Sequence, residues 1–483
     1  MNPKFISVNI GKALLINALF MFASAGAAMV YNFDSGFTPL LISGIVTVIA
    51  GAFPFIFVTS AQRSSLQDMF MTIVLSWLLS FVFGMLPYVL WGGEFTLVNA
   101  WFESVSGYTT TGSTILTDIE ALPKSLLLWR SSTHFIGGLG VIVFLLLVMP
   151  DSSPLKLKLS NIELSSISKD GYRYKAGKTV TVITTVYLCL AIALTICLRL
   201  EGMSFFDAVN HSFSTVSTGG FSTKNNSIMH FNSIPIQLTI MFFMTLSAMH
   251  FGVIYAVFAT RSPKPLRQPV TRYYLCVIAA LSLLLMLVLR LEGGYESWGK
   301  ALLDSSFQAI SFLTTTGFGQ SDNASWPLLA NAILLFAAFH CGCSGSTTGG
   351  VKADRIYISL KAISSEFKRR LHPSSVFKTK VGQSFISDDG VSAVFMYIVL
   401  YIFVHMVSFM AVLLCGADIS DAYSGTLASL GNVGPGIGSL GTMGNYSAMP
   451  AAAKIIFSID MFLGRIEIFP FLAVVSMIFD RQK

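Results

Sequence analysis

Four short peptides that each end in glycine carry the oxygens that could do chemistry in this chain: Thr110-Thr111-Gly112, Ser217-Thr218-Gly219, Thr315-Thr316-Gly317 and Asn432-Val433-Gly434. A cation leaving water needs oxygens in place of its hydration shell. Successive carbonyls turn the same way only where some residues take backbone angles that a β-carbon disfavours and glycine permits. Thr hydroxyls and Thr, Ser or Val carbonyls would complete such a ring. No carboxylate stands inside the peptides, so the chemistry expected is coordination of a monovalent rather than a divalent cation.

The successive glycines lie 107, 98 and 117 residues apart, and each interval has room for two membrane spans and a re-entrant loop. Asn99, Asp207, Asp304 and Asp421 stand 13, 12, 13 and 13 residues ahead of them, and all are types that cap helix N-termini. Each quarter therefore reads as cap, short helix, glycine loop. About nine helical residues reach roughly 14 Å, half of the ~30 Å hydrocarbon layer, so these helices dip in without crossing. Their partially negative C-terminal ends would then point at a central cavity. Single triplets of small residues are common packing devices in membranes. Fourfold repetition with matched caps sets these apart, whereas Gly137-Gly138-Leu139-Gly140 lacks such partners and reads as close helix packing.

The elements that must hold these peptides follow from composition. With 53% apolar and 11% charged residues over 483 positions, the expected class is an all-α polytopic membrane protein, with no soluble catalytic domain. Six scattered cysteines in or beside apolar segments do not read as a disulfide framework. Apolar runs near 13–31, 37–58, 69–91, 126–149, 179–198, 234–259, 273–289, 328–343, 391–415 and 450–479 give ten candidate spans. Two crossings per unit return the chain to the same face. The quarters are therefore parallel around an axis along the membrane normal, and two extra helices precede them.

The division expected is 1–66 for the leading helices, then repeats at 67–150, 151–260, 261–370 and 371–483. With both termini cytoplasmic, the inner segments hold 23 of the 31 Lys and Arg residues, as the positive-inside rule requires. The glycine-loop face instead carries acids that would gather cations. Lys4 and Lys12 precede an apolar stretch ending in small residues around Ala23 to Ala28, and that stretch reads as a retained first helix rather than a cleaved signal. The net charge of +7 then reflects loops facing anionic lipid or a partner, not nucleic acid.

Over its whole length the chain resembles the TrkH/TrkG/KtrB superfamily of potassium transporters. The stretches that carry the likeness are FESVSGYTTTG at 102–112, STGGF at 217–221, FQAISFLTTTGF at 307–318, GNVGPG at 431–436, the dipeptide His372-Pro373 and MFLGRIEIFP at 461–470. Two leading spans are similar to those of Trk rather than Ktr proteins. The resemblance implies uptake of K⁺ across the bacterial inner membrane through one filter built from the four peptides, with K⁺ as the transported ion and no other cofactor. Related plant transporters with serine in place of the first filter glycine lean toward sodium, and Gly112 is not serine.

Below the third peptide, the run CGCSGSTTGG at 341–350 cannot hold a stiff helix, since each glycine costs about 1 kcal/mol relative to alanine. The resemblance makes Gly342, Ser344, Gly345, Gly349 and Gly350 an intramembrane gating loop; a simple helix end before Lys352 is the other reading. The resemblance also makes Arg465 an electrostatic barrier facing that loop; mutual neutralisation of Arg465 with Glu467 or Asp460 is the other reading. Gly345 and Gly350 have phosphate-loop spacing, but Val351 stands where the lysine is required. His340, Cys341 and Cys343 lack a fourth metal ligand.

The basic segment 352–380 (Lys361, Lys368, Arg369, Arg370, Lys378, Lys380) suffices as a positive-inside determinant. The resemblance adds contact with a cytosolic, nucleotide-binding, TrkA-like regulatory ring, and a homodimer. A proton- or sodium-coupled transporter of another solute would be expected to show inverted repeats. An enzyme would need an acid–base or nucleophile pair, whereas His134, His211, His250, His340 and His405 are dispersed.

Overall fold

The structure is a computed structural model and describes residues 2–58, 65–147, 176–375, 377–382 and 384–480. The expected boundary at 150/151, the basic residues of 150–175, and Arg63, Arg481 and Lys483 lie outside the described residues.

Two long helices lead the chain, α1 (Pro3–Val30) and α2 (Phe37–Phe57). Asn2 caps the first by accepting from the Phe5 amide, and Pro3 sits in the first turn, where its missing N–H costs nothing. The first quarter follows as α3 (Leu66–Gly84), α4 (Leu86–Trp91), the short α5 (Leu97–Tyr108) and α6 (Lys124–Leu147). The second comprises α7 (Ala176–Leu200), the short α8 (Phe205–Val216), α9 (Ile234–Ser247) and α10 (Phe251–Thr260). The third comprises α11 (Pro269–Leu291), α12 (Trp298–Leu313), α13 (Leu328–His340) and α14 (Ala353–Leu371). After a small hairpin, β1 (Lys380–Val381) with β2 (Ser384–Phe385), the last quarter comprises α15 (Asp388–Leu414), α16 (Ile419–Gly431), α17 (Ala451–Ile466) and α18 (Ile468–Asp480).

Among the described residues, six helices are long and apolar enough to cross a bilayer, or seven if α9 and α10 form one span bent by 101°. Six of the ten expected spans are these helices, α3 and α4 counting as one; the run at 126–149 is α6 up to Leu147, its last two residues lying outside the described ones, and the other three are interrupted. The run at 234–259 breaks at 248–250, that at 328–343 is the 13-residue α13 followed by irregular chain, and that at 450–479 breaks at Glu467, whose φ is 58°. All three interruptions follow a short helix in their quarter. Peptide groups freed at such breaks must find partners inside the protein.

One apolar cluster knits the second and third quarters through Tyr187, Phe251, Tyr274 and Phe312. A second joins the leading helices and first quarter to the fourth through Trp77, Phe81, Tyr108 and Phe457. Between helices in lipid, dense packing of this kind replaces the hydrophobic drive available in water. Ile42, Ile45, Ile49, Phe53 and Ile56 on α2, and Phe403, Val407, Met410 and Leu414 on α15, stay exposed as helical stripes, which is the pattern of a lipid-facing surface.

Candidate functional site

The four short helices end in loops of one backbone form. Each has a non-glycine residue in the left-handed region, Thr110 (φ 54°), Thr218 (57°), Thr315 (54°) or Asn432 (53°). Two positions later comes a glycine of positive φ, Gly112 (83°), Gly220 (80°), Gly317 (78°) or Gly434 (98°). This corrects the second peptide by one residue. The segment matching Thr110-Thr111-Gly112 is Thr218-Gly219-Gly220, and Ser217 is the C-cap of α8, as Thr109 and Thr314 are of α5 and α12. Two glycines stand side by side there, and only backbone angles reveal which one takes the left-handed turn. Gly219 has a different reason to be small, because a β-carbon on it would collide with the His134 ring.

These loops meet one another in a closed order. A β-carbon on Gly112 would collide with the Gly219 carbonyl oxygen, and one on Gly220 with that of Thr316. One on Gly317 would strike the Val433 carbonyl, and one on Gly434 that of Thr111. First abuts second, second third, third fourth, and fourth first. Four α-carbons thus alternate with four carbonyls around one axis. A cavity of about 70 Å³, lined by Gly112, Gly220, Gly317 and Gly434, adjoins this ring on the side where the chain leaves the loops.

The expected helix caps are displaced. The N-caps are Thr96, Ser204 and Asp418, whose side chains accept from the amides of Asn99, Asp207 and Ser420. Asn99, Asp207 and Asp421 therefore sit in the first helical turn, while Asp304 lies well inside α12, which begins at Trp298. The confusion is physical, since an acid three residues after the true cap shares its hydrogen bonds: the Ser204 hydroxyl accepts from the Asp207 amide (3.0 Å) and donates to the Asp207 carboxylate (2.7 Å). These side chains instead tether neighbouring chain. Asp207 accepts from Thr223 Oγ1 (2.6 Å), Asp421 from Ser439 (2.5 Å), Asp304 from Tyr295 (3.0 Å) and Asn99 from Lys454 Nζ (2.9 Å). Nearer the surface, Asn225 donates to Asp118 (2.9 Å) and holds that carboxyl below its ordinary range.

On the other side of the ring lies the segment 341–352, together with the break between α9 and α10. Two backbone bonds join them, Cys343 N to Ala248 O (2.9 Å) and Phe251 N to Gly345 O (3.1 Å), and Ala353 N bonds Gly342 O (2.7 Å). The Ser344 amide donates to Asp354 (2.6 Å), and Thr347 Oγ1 reaches the carbonyl of Val216 at the end of α8 (3.1 Å). Gly349 packs against Asn432 and the Gly431 carbonyl, and Gly350 against Cys341 Sγ. The freed peptide groups thus find partners, as burial at this depth demands.

Arg465, 5% exposed, donates to the carbonyls of Thr347 and Gly137. Its expected carboxylate neighbours are engaged elsewhere. Glu467 pairs with Lys352 (2.8 Å) and Arg355 (2.5 Å), and Asp460 accepts from Ser408 (2.6 Å). His340 bonds Tyr273 and the Cys341 carbonyl, both at 2.9 Å. The basic stretch 352–380 is largely the helix α14, where Arg369 and Arg370 pair with Glu366.

Three features of this region escaped the sequence reading: the left-handed glycine of the second loop, the Lys352/Arg355/Glu467 cluster, and a buried pair of Glu103 with Arg130 at 2.7 Å. The structure marks the register of the first a second time, because Glu103 contacts Thr114 and His211 contacts Ser222. Each pair spans eleven residues and ends two beyond the left-handed glycine, which fixes the register at Gly220.

The profile of the TrkH family, described as a cation transport protein, matches residues 39–483. The chain is 34% identical over 419 residues to the Trk system potassium uptake protein TrkH of Salmonella typhimurium, covering 86% of each. It is 32% identical over 480 residues to TrkH of Vibrio parahaemolyticus, covering 98% of each. To TrkG of Escherichia coli K12 it is 32% identical over 477 residues, covering 98% of this chain and 97% of that one. The crystal structure of the potassium transporter TrkH from Vibrio parahaemolyticus superposes with a TM-score of 0.88 at 31% identity, covering 98% of both chains. These relatives are transporters rather than enzymes, and this chain, a multi-pass helical membrane protein, belongs to the TrkH family of cation transport proteins.

Proposed function

We propose that the chain takes up potassium through the axis on which the four loops meet, and that the carbonyls of Thr111, Gly219, Thr316 and Val433 stand in for water around the ion. The observation that carries this reading is the closed alternation of left-handed glycines and carbonyls. The relatives' printed role in potassium uptake supports it. The segment 341–352 acts as a gate beneath the ring, with Arg465 as a fixed positive charge beside it. In this reading the short helices enter from the outside, and both termini and α14 are cytoplasmic. The repeats run 67–150, 151–260, 261–370 and 371–483 after the leading pair 1–66. A second copy of the chain and a cytosolic nucleotide-binding ring on the basic face complete the working system.

Reconstitution into liposomes tests it. Electrogenic rubidium entry without any other substrate is expected, faster than sodium entry and altered by the ring protein with nucleotide. Uptake that requires a proton or sodium gradient together with another solute would replace this reading with a coupled transporter.

A further inference from the structure

Glu103 on α5 and Arg130 on α6 are 0% and 1% exposed, and the guanidinium meets the carboxylate at 2.7 Å. Removing two charges from water costs several kcal/mol per ion, so a pair this dry is poor evidence of stabilisation by itself. Its other contacts indicate what it does. Glu103 also accepts from Thr114 Oγ1 (3.0 Å) and the Ile115 amide (3.1 Å), which pins the chain just after the first loop to the helix just before it.

Arg130 then crosses to the second quarter. Its Nη1 donates to the Ser222 carbonyl (3.4 Å), and its guanidinium lies 3.9 Å from the Phe221 ring centroid. Phe221 in turn stacks on His134 at 4.0 Å, the ring that fills the space beside Gly219. Arg130 also lines the small cavity above the four glycines.

The other quarters treat the same helix position differently. Nine residues ahead of the left-handed glycine they carry His211, Gln308 and Gly425. His211 bonds Ser222 Oγ (2.9 Å) and Gln308 bonds the Ser321 carbonyl (2.9 Å), so each holds its own exit strand without an ion pair. Of these four helix positions, Glu103 is the one that engages a guanidinium reaching into the next quarter.

We infer that Glu103 and Arg130 are positioning residues that set the spacing of the first and second loops and thereby the discrimination of K⁺ from Na⁺. This rests on the potassium-filter reading above. A planar guanidinium fixes direction through several donors, whereas an ammonium supplies only a point charge.

The test measures rubidium and sodium entry into proteoliposomes, together with thermal stability in detergent, for wild type, Arg130→Lys and the double variant Glu103→Gln with Arg130→Met. The double variant removes both buried charges together and should keep near-wild-type stability. Arg130→Lys and the double variant should each lower the rubidium-to-sodium ratio, by roughly tenfold, the factor equivalent to one hydrogen bond to a charged group. A double variant that is stable and retains the wild-type ratio would show the pair to be merely structural and overturn the inference alone. A wild-type protein without rubidium entry would overturn the filter reading beneath it as well.

Discussion

The α-carbon of Gly220 packs against the carbonyl of Thr316 so closely that any β-carbon would strike the oxygen, while the adjacent Gly219 faces the His134 ring instead. The two glycines therefore fail differently when substituted. Gly220→Ala should lower rubidium flux by roughly tenfold or more, since its left-handed backbone alone costs alanine about 1–2 kcal/mol before the collision is counted. Gly219→Ala should also impair flux, but His134→Ala in the same chain should restore it. If His134→Ala restores the Gly220 variant equally, the register of the second loop is wrong.

Gly112→Ser should lower discrimination between rubidium and sodium. The serine β-carbon would meet the Gly219 carbonyl, so the first and second loops must part, and a wider ring leaves room for a more hydrated ion. Uptake ratios measured side by side decide it, and an unchanged ratio in a well-folded variant would refute the account.

The membrane class, the short helices and three of the four loops were legible because each depends on residues close together in sequence. Gly112 and Gly317 stand four residues beyond the ends of α5 and α12, and Gly434 three beyond the end of α16, with no second glycine beside any of them. The second loop was ambiguous because Gly219 and Gly220 are chemically identical, and what separates them is a carbonyl nearly a hundred residues away at Thr316. The break at Glu467 was hidden for a related reason. A glutamate at φ 58° has no local signature, and it is held there by Lys352 and Arg355 from another quarter. Pairing of Asn99, Asp207 and Asp421 with preceding Thr, Ser or Asp caps was readable in principle, but Asp304, two turns into α12, was not.

Arg465→Ala should raise conduction. The guanidinium is buried beneath the ring and spends its hydrogen bonds on the carbonyls of Thr347 and Gly137, so its charge remains to oppose a passing cation. About 1 kcal/mol of repulsion, the value for unit charges 4 Å apart in water, corresponds to roughly a fivefold gain in flux. A variant that folds normally and conducts no faster would remove Arg465 from the barrier.

Glu467→Gln should destabilise the protein far more than Glu366→Gln, although each acid serves two cations. Around Glu467 the side chains of Lys352, Arg355 and the acid itself are only 14–17% exposed, and Arg355 also lies 3.9 Å from the Tyr397 ring centroid. Removing the anion there strands two largely buried cations at the end of the 341–352 segment, at a cost of about 3 kcal/mol. Arg369 and Arg370 are 61% and 79% exposed beside Glu366. Water replaces that partner, and the expected loss is under about 1 kcal/mol. Thermal melting in detergent compares the two directly. Because Lys352 and Arg355 border the proposed gate, the Glu467 variant should also show altered rubidium flux at temperatures well below its melting point, while the Glu366 variant should not.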